Sequence, residues 1–354
     1  WMGIEGHDDV VEQFRTALTR GRLASTFLFV GPEGVGKRAF AQRFAQTLLC
    51  LRVAPEAMAP CGECHGCRQV LSGSHPDLIA VSKPDDRAFI PLSLLIGDKD
   101  ARGREGLCHA VSMRPMMGTR KVAIVDDADF FNDEGANSLL KTLEEPPPNS
   151  VMILISQGLE RQLPTIRSRS QIVRFRPLPQ NVVERLLVSS EIGRPEDAPR
   201  LARYSEGSLG RARELADPEL WAFRKTLLGK LPMRLLDGVA LAKETVSFAE
   251  QAGKESQARR ARLRQVVEFA AEFFREVIRA SAGSASTPDD DLRAAVAQAK
   301  GQWIDFDAAA SALERCLETL SHIGRNVNQT TLVECWWDDL SRIAASQRPL
   351  EAAV

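Results

Sequence analysis

The sequence has no excess of charge of either sign: 46 basic residues stand against 47 acidic ones in 354, a net charge of −1. A chain with so little field does not draw itself onto nucleic acid by global electrostatics, so any contact with DNA must come from a local patch or from other subunits. No apolar run approaches the length of a membrane span. The N-terminal WMGIEGHDD lacks the basic segment and following apolar stretch of an export signal. No internal repeat stands out. What is present is ordinary for a globular protein: 44% hydrophobic and 26% charged residues. The length exceeds what one hydrophobic core usually serves, so two or three domains are expected. Seven cysteines include a tight cluster, which suits metal binding in a reducing compartment, and the expected location is the cytoplasm.

Apolar periodicity divides the chain into an α/β part and an all-helical part. An amphipathic helix is predicted over 7–19, with Val10, Val11, Phe14 and Leu18 at helical spacing. STFLFV then reads as a buried strand, and 37–49 as a helix with Phe40, Phe44 and Leu48 on one stripe. PDLIAVS (76–82), KVAIV at 121–125, SVMILIS (150–156) and QIVRF (171–175) are further strands, and LCHAVSM (107–113) belongs to a helix. Asn132 is a predicted N-cap, with Asp133 and Glu134 in the first turn, and Pro146 to Pro148 stop the helix that follows. Strands apolar on both faces, alternating with helices, imply a parallel sheet covered on both sides. Beyond Pro179 everything reads helical. Leu263, Val266, Val267, Ala270, Phe273, Phe274 and Val277 form one stripe, and Leu313, Cys316, Leu317, Leu320 and Ile323 another. SAGSASTPDDD (281–291) reads as a connection, and 332–343 as a last helix.

Between the first strand and its helix lies FVGPEGVGKRAF. A phosphate-binding loop needs Gly, four residues, Gly-Lys and then Ser or Thr. Its backbone N–H groups surround the phosphates, the lysine neutralises their charge, and the hydroxyl holds magnesium. Gly31, Gly34, Gly36 and Lys37 are in place, but Arg38 occupies the hydroxyl position and cannot bind a cation. Asp126 stands where such folds carry a magnesium-binding carboxylate. Asp127 stands where a glutamate would polarise the attacking water, one methylene short of that task. Ser156, at the end of a third apolar strand, could meet a phosphate, though a serine there is commonly a turn residue. The pattern predicts a nucleotide cradle whose hydrolysis is lost; ATP or ADP could still bind. The bland alternative is a Gly-rich turn that only descends from such a site. TIRSRSQ (165–171) offers Arg167 and Arg169, either as a solvated basic turn or as an arginine presented to a neighbouring subunit's nucleotide.

Cys50, Cys61, Cys64 and Cys67 follow the spacing Cys-x10-Cys-x2-Cys-x2-Cys. Four thiolates at short spacing suit a tetrahedral structural zinc, while an iron–sulfur cluster also uses Cys-x2-Cys-x2-Cys. Between Cys50 and Cys67 only Arg52 is basic besides His65, too little for an autonomous DNA-binding module. Cys108, Cys316 and Cys335, isolated on helical stripes, are expected in the core.

Taken together, the near phosphate loop, the cysteines inserted after its helix, VDDAD, NSLLKTLEEPPPNSVMILIS and TIRSRSQ resemble the clamp-loader branch of the AAA+ family. The resemblance runs from about residue 4 to 217, and more weakly through RNVNQTTLVECWWDDL. It implies an α/β AAA+ P-loop domain over 1–178 with a zinc insert at about 50–67, a small helical lid over 179–218 and an α-helical collar over 219–354. The branch contains an ATPase motor, gamma/tau, and a rigid stator whose nucleotide site is degraded. This chain is similar to the stator: Arg38 and Asp127 depart from the motor's residues, and Gly210 lies where the motor has a nucleotide-sensing arginine. The motor type remains the alternative. The resemblance implies gamma/tau and delta subunits as partners, with a sliding clamp and primer–template DNA reached through the complex, and no membrane. Arg169 of Ser168-Arg169-Ser170 matches the family's trans-acting arginine, although Ser170 stands where the family has cysteine. The 90–118 segment is longer than the family's usual and is expected to be a lengthened helical hairpin.

Overall fold

The computed structural model describes residues 1–346 apart from 85, 254, 285–286, 303–304 and 324–326. Helix α1 (Asp8–Thr19) buries Val10, Val11, Phe14 and Leu18, the predicted stripe. Strand β1 (Thr26–Val30) is buried at all five positions. Helix α2 (Lys37–Leu48) springs from Gly36, whose left-handed φ of 104° a side chain would strain. Helix α3 (His65–Ser72), capped by Cys64 and containing Cys67, closes the cysteine segment, and β2 (Leu78–Val81) follows it. Short helices α4 (Leu92–Ile96) and α5 (Gly106–Ser112) pack together as the hairpin expected in the 90–118 segment. Strand β3 (Lys121–Val125) leads to α6 (Asp133–Glu144), where Asn132 caps as predicted, its side-chain oxygen accepting from the Gly135 N–H at 2.8 Å. Strand β4 (Ser150–Ser156), helix α7 (Pro164–Ser168) and strand β5 (Gln171–Arg174) complete the sheet.

The strand order is β2-β3-β4-β1-β5 and every pairing is parallel. Alternation along β1 explains its unbroken apolar run. Phe27 and Phe29 enter one core with Phe14, Phe40 and Phe44, while Leu28 and Val30 enter the other with Ala123, Leu139 and Leu154. The Phe14 ring lies 4.3 Å from Phe44 and 4.9 Å from Phe27, centroid to centroid. Parallel order also brings the carboxyl ends of β1, β3 and β4 to one edge of the sheet, the edge where open α/β sheets place their ligands. The α/β fold expected from the sequence is present.

The chain divides into two compact units, Trp1–Ala216 and Asp217–Val354. The first ends in three helices, α8 (Gln180–Ser189), α9 (Ala198–Tyr204) and α10 (Leu209–Glu214). The second consists of α11 (Pro218–Lys230), α12 (Gly238–Glu250), α13 (Ser256–Ser281), α14 (Asp290–Gln302), α15 (Phe306–Ile323) and α16 (Gln329–Ser346). The predicted α13 stripe is buried throughout. The α15 stripe is rotated: Ala309, Ala312, Cys316, Thr319 and Ile323 face inward, and Leu317 is 50% exposed. Small residues on that face let α15 approach α13 closely, which a leucine would prevent. Cys335, expected in the core, is exposed on α16, whose buried face is Leu332, Val333, Trp336, Trp337 and Leu340. The predicted connection at 281–291 ends in the first turn of α14; residues 285–286 of it, and Arg325 and Asn326 of RNVNQTT, lie outside the described residues.

One buried ion pair ties the edge of the sheet together. Asp77, completely buried before β2, accepts backbone N–H bonds from Met116 (2.7 Å), Met117 (2.8 Å) and Gly118 (3.2 Å) and faces Lys121 Nζ at 3.2 Å. Burial pushes its carboxyl pKa up, but these donors together hold it below the usual carboxylate value. A depressed carboxylate contributes stability that is present above the unfolded-state value and is lost as pH falls through the folded one. Thermal melts should therefore show a stability loss on acidification below about pH 4. Asp77→Asn, which leaves the Lys121 cation buried without its partner, should cost about 3–5 kcal/mol at neutral pH and remove that part of the acid dependence. An unchanged melting temperature for Asp77→Asn at neutral pH would show that the pair does not hold this edge.

Candidate functional site

The loop Gly31–Gly36, the ends of β3 and β4 and the start of α2 enclose an open cleft of about 360 Å³. Gly34, Gly36, Lys37, Arg38, Asp126, Asp127 and Ser156 all line it, so the structure brings these sequence candidates together. Gly31 stands at its base, where only a glycine fits: a Cβ there would lie 2.2 Å from the Phe175 carbonyl oxygen. Arg169 is not among the residues that line the cleft.

The side chains of Lys37 and Asp126, which would serve a phosphate and its metal, are engaged by the chain itself. Lys37 Nζ donates to the carbonyls of Gly31 and Pro32, both at 2.6 Å. Burial lowers its pKa, against the carboxylates of Asp129, Glu33 and Asp126, which raise it. The Arg38 guanidinium lies 3.4 Å from the Asp126 carboxylate, with three quarters of its side chain exposed. Such a pair contributes little to stability, under about 1 kcal/mol. Its effect is electrostatic, a fixed positive charge on the carboxylate that a metal cation would need. Asp127 has a left-handed φ of 56°, and its pKa is raised by burial and by the adjacent Asp126. A carboxyl one methylene short is poorly placed as a base for water.

Three further residues shape the cleft that sequence reasoning passed over. Asp129 accepts from the Ser156 hydroxyl at 2.5 Å and from the Gln157 N–H at 2.7 Å, so Ser156 is turned to Asp129 and not to a ligand. Gln157 reaches across the mouth to Glu33 at 3.2 Å. His7, buried at the start of α1, donates from Nε2 to the Val35 carbonyl at 2.8 Å and packs edge-on against Phe175. Asp129 could have been suspected from VDDAD, where it stands one turn after Asp126; nothing local marks His7 or Gln157.

The helices at the end of the first unit close the loop from above. The Gly210 N–H donates to the Gly34 carbonyl at 3.2 Å. A Cβ on Gly34 would lie 2.2 Å from Ser208 Oγ and 3.0 Å from Gly210 Cα, and one on Gly210 would lie 3.0 Å from Gly34 Cα. Backbone meets backbone here, an approach that only two glycines permit.

Away from the cleft, the four cysteines converge. Their sulfurs all lie within 4.8 Å of one another, with Cys50–Cys61 at 3.8 Å and Cys61–Cys67 at 3.9 Å. These separations are too long for disulfides, whose S–S bond is about 2.05 Å. They match the edge of a tetrahedron about a metal with sulfur ligands at about 2.3 Å, which is about 3.8 Å. Backbone N–H groups of Val53, Cys64 and Cys67 point at the sulfurs of Cys50, Cys61 and Cys64, each at 3.4 Å, as thiolates require. Against burial, which raises it, the backbone N–H groups of Cys67 and Leu51 and the thiols of Cys67 and Cys61 bring the Cys64 thiol down to about 6. The donor set fits a metal that prefers four sulfurs, and Cys50, Cys61, Cys64 and Cys67 would hold it. The insert is tied to α2 where Gln46 Nε2 donates to the Cys67 carbonyl at 3.3 Å.

Arg169 ends α7. Its side chain, about one third exposed, meets Glu144 at the end of α6, NH2 to Oε1 at 2.6 Å, and donates from NH1 to the Thr165 carbonyl and the Ser168 hydroxyl, both at 3.1 Å.

A family model described as DNA polymerase III, delta subunit, matches residues 6–179. The chain is 37% identical over 150 residues to the DNA polymerase III subunit delta' of Pseudomonas aeruginosa, 42% of each chain. It is 30% identical over 228 residues to the delta' subunit of Escherichia coli K12, covering 64% of this chain and 65% of that one. It is 32% identical over 190 residues to the gamma/tau subunit of Mycobacterium tuberculosis H37Rv, covering 52% of this chain and 30% of that one. The matched stretches thus span less than two thirds of each of these relatives.

Proposed function

We propose that the chain is a delta'-type subunit of a bacterial clamp loader, a reading supported by the match of residues 6–179 to the family described as DNA polymerase III, delta subunit. It acts by structure and in trans, without hydrolysing nucleotide itself. Its partners are the gamma/tau and delta subunits, and through the complex it helps to place a sliding clamp on primer–template DNA in the cytoplasm. Arg169 is presented to the nucleotide of the neighbouring motor, where a planar, permanently charged guanidinium stabilises the charge that develops on the γ-phosphate. Cys50, Cys61, Cys64 and Cys67 hold a structural zinc.

The observation that best supports this reading is the self-satisfied cradle. The lysine sits on its own loop's carbonyls and Arg38 sits on Asp126. Productive magnesium-ATP chemistry needs the lysine on the phosphates and a free carboxylate and hydroxyl for the metal. The motor reading is favoured by the retained Lys37 and Asp126 and by the similarity to gamma/tau; it requires Arg38 and Gly210 to give way together.

The test is a reconstitution. The purified chain should co-elute with gamma/tau and delta in a single complex, and alone it should show no magnesium-dependent ATP turnover. Turnover by the isolated chain at a rate comparable with gamma/tau would overturn the reading in favour of a motor.

A further inference from the structure

We propose that Glu144 is a positioning residue for Arg169, fixing the guanidinium in the pose from which it reaches a neighbouring subunit's phosphate. The inference rests on the reading of Arg169 as a trans-acting arginine. Arginine has five N–H donors in a rigid fork. The Thr165 carbonyl and Ser168 hydroxyl take the two on NH1, and Glu144 Oε1 forms an ion pair with NH2 at 2.6 Å. The Nε and NH2 edge of the fork remains for a phosphate. The guanidinium is thus held by two hydrogen bonds and an ion pair and is still about one third exposed.

Several features show that this is an arrangement and not a chance surface pair. Glu144 lies at the carboxyl end of α6, where a carboxylate opposes the helix dipole. A cation of matching geometry offsets that opposition, and Arg169 is the cation placed there. The position of Glu144 is itself fixed, because Pro146, Pro147 and Pro148 follow and the backbone cannot continue as helix. Arg169 is held on its other side by the last turn of α7. Residues of two helices, Glu144 at the end of α6 and Thr165 and Ser168 of α7, therefore hold one side chain. A freely rotating arginine would surrender its rotamer freedom on meeting the phosphate; one already clamped does not. The carboxylate also competes weakly with the incoming anion, since a γ-phosphate with its metal must share the same guanidinium.

The test uses the loader reconstituted from gamma/tau, delta and this chain. Glu144→Ala should lower kcat of the DNA-stimulated ATPase on the order of tenfold, a cost of misplacement, with KM for ATP unchanged. Glu144→Gln, which keeps an acceptor oxygen at the same place, should recover most of the rate. Arg169→Ala combined with Glu144→Ala should be no slower than Arg169→Ala alone. The melting temperature of the isolated variant should stay at the unsubstituted value, because a partly exposed pair contributes little to stability. If Arg169→Ala slows the loader and Glu144→Ala does not, the positioning role is wrong and the trans-acting role stands. If Glu144→Ala lowers the melting temperature or prevents assembly without a kcat effect in the complexes that form, the residue is structural and the proposal fails. If Arg169→Ala leaves the rate untouched, the reading beneath the proposal fails with it.

Discussion

Arg169→Ala should reduce ATP turnover at the nucleotide site that this chain faces in the assembled loader by ~10³-fold, the lower end of what a trans-acting arginine supplies. The loss should lie in kcat, because the guanidinium meets charge that grows between ground state and transition state. Arg169→Lys should recover little of it. A lysine ammonium is a point charge and cannot hold Glu144, Thr165 and a phosphate together as the planar fork does. The chain itself should be indifferent to the change: Arg169 is partly exposed, and its pair with Glu144 is not buried enough to support the fold. The measurement is single-turnover ATP hydrolysis by loader assembled with the variant and stimulated by primer–template DNA. Turnover equal to that of the unsubstituted loader would end the trans-acting role and leave only a structural one.

Residues that act through sequence neighbours were readable, and residues that act through distant partners were not. The three central strands were visible because both faces of each are covered, which turns a strand into an unbroken apolar run such as FLFV or VMILI, while the edge strands β2 and β5 are only partly buried. Asn132 was visible because its capping partner, the Gly135 N–H, is one turn away. The cysteine cluster was visible because its four members fall within a short stretch of chain. Asp129, by contrast, acquires its role from Ser156, Gln157 and Gln162, all about three elements later in the chain. Glu144 meets its partner, Arg169, across a strand and a helix. His7 reads as the residue before a helix and turns out to be buried against the loop carbonyl of Val35. The rotation of α15 has the same cause. Leucine spacing marked one face, while the face that packs is set by α13, against which alanines fit and leucines do not. Arg38 lies between these cases. Its departure from the loop pattern was legible, and its pairing with Asp126 needed the fold.

Removing a metal held by the four cysteines should weaken the fold of the first unit. The sulfurs stand at tetrahedral spacing, and structural zinc contributes folding free energy outright, on the order of 10 kcal/mol in small isolated domains. Here the sheet and its helices supply a core of their own, so the effect should be confined and partial. Cys67 is the ligand that reaches furthest in: it is fully buried, and its carbonyl is held by Gln46 of α2. Cys67→Ser should abolish stoichiometric zinc, measured by metal analysis of the purified chain, and lower the melting temperature by roughly 5–10 °C, the shift that a loss of a few kcal/mol produces in a unit of this size. A strong chelator at neutral pH should reproduce that melt in the unsubstituted chain. Acidification should also release the metal, because ligand thiolates are neutralised as pH falls, so zinc retention is expected at neutral pH and above and is lost on the acid side. Cys335→Ser, at an exposed thiol remote in sequence from the cluster, should change neither zinc content nor melting. Iron in place of zinc in the purified chain would replace the assignment with a cluster, and an unaltered melt for Cys67→Ser would mean that the four sulfurs do not hold the insert to α2.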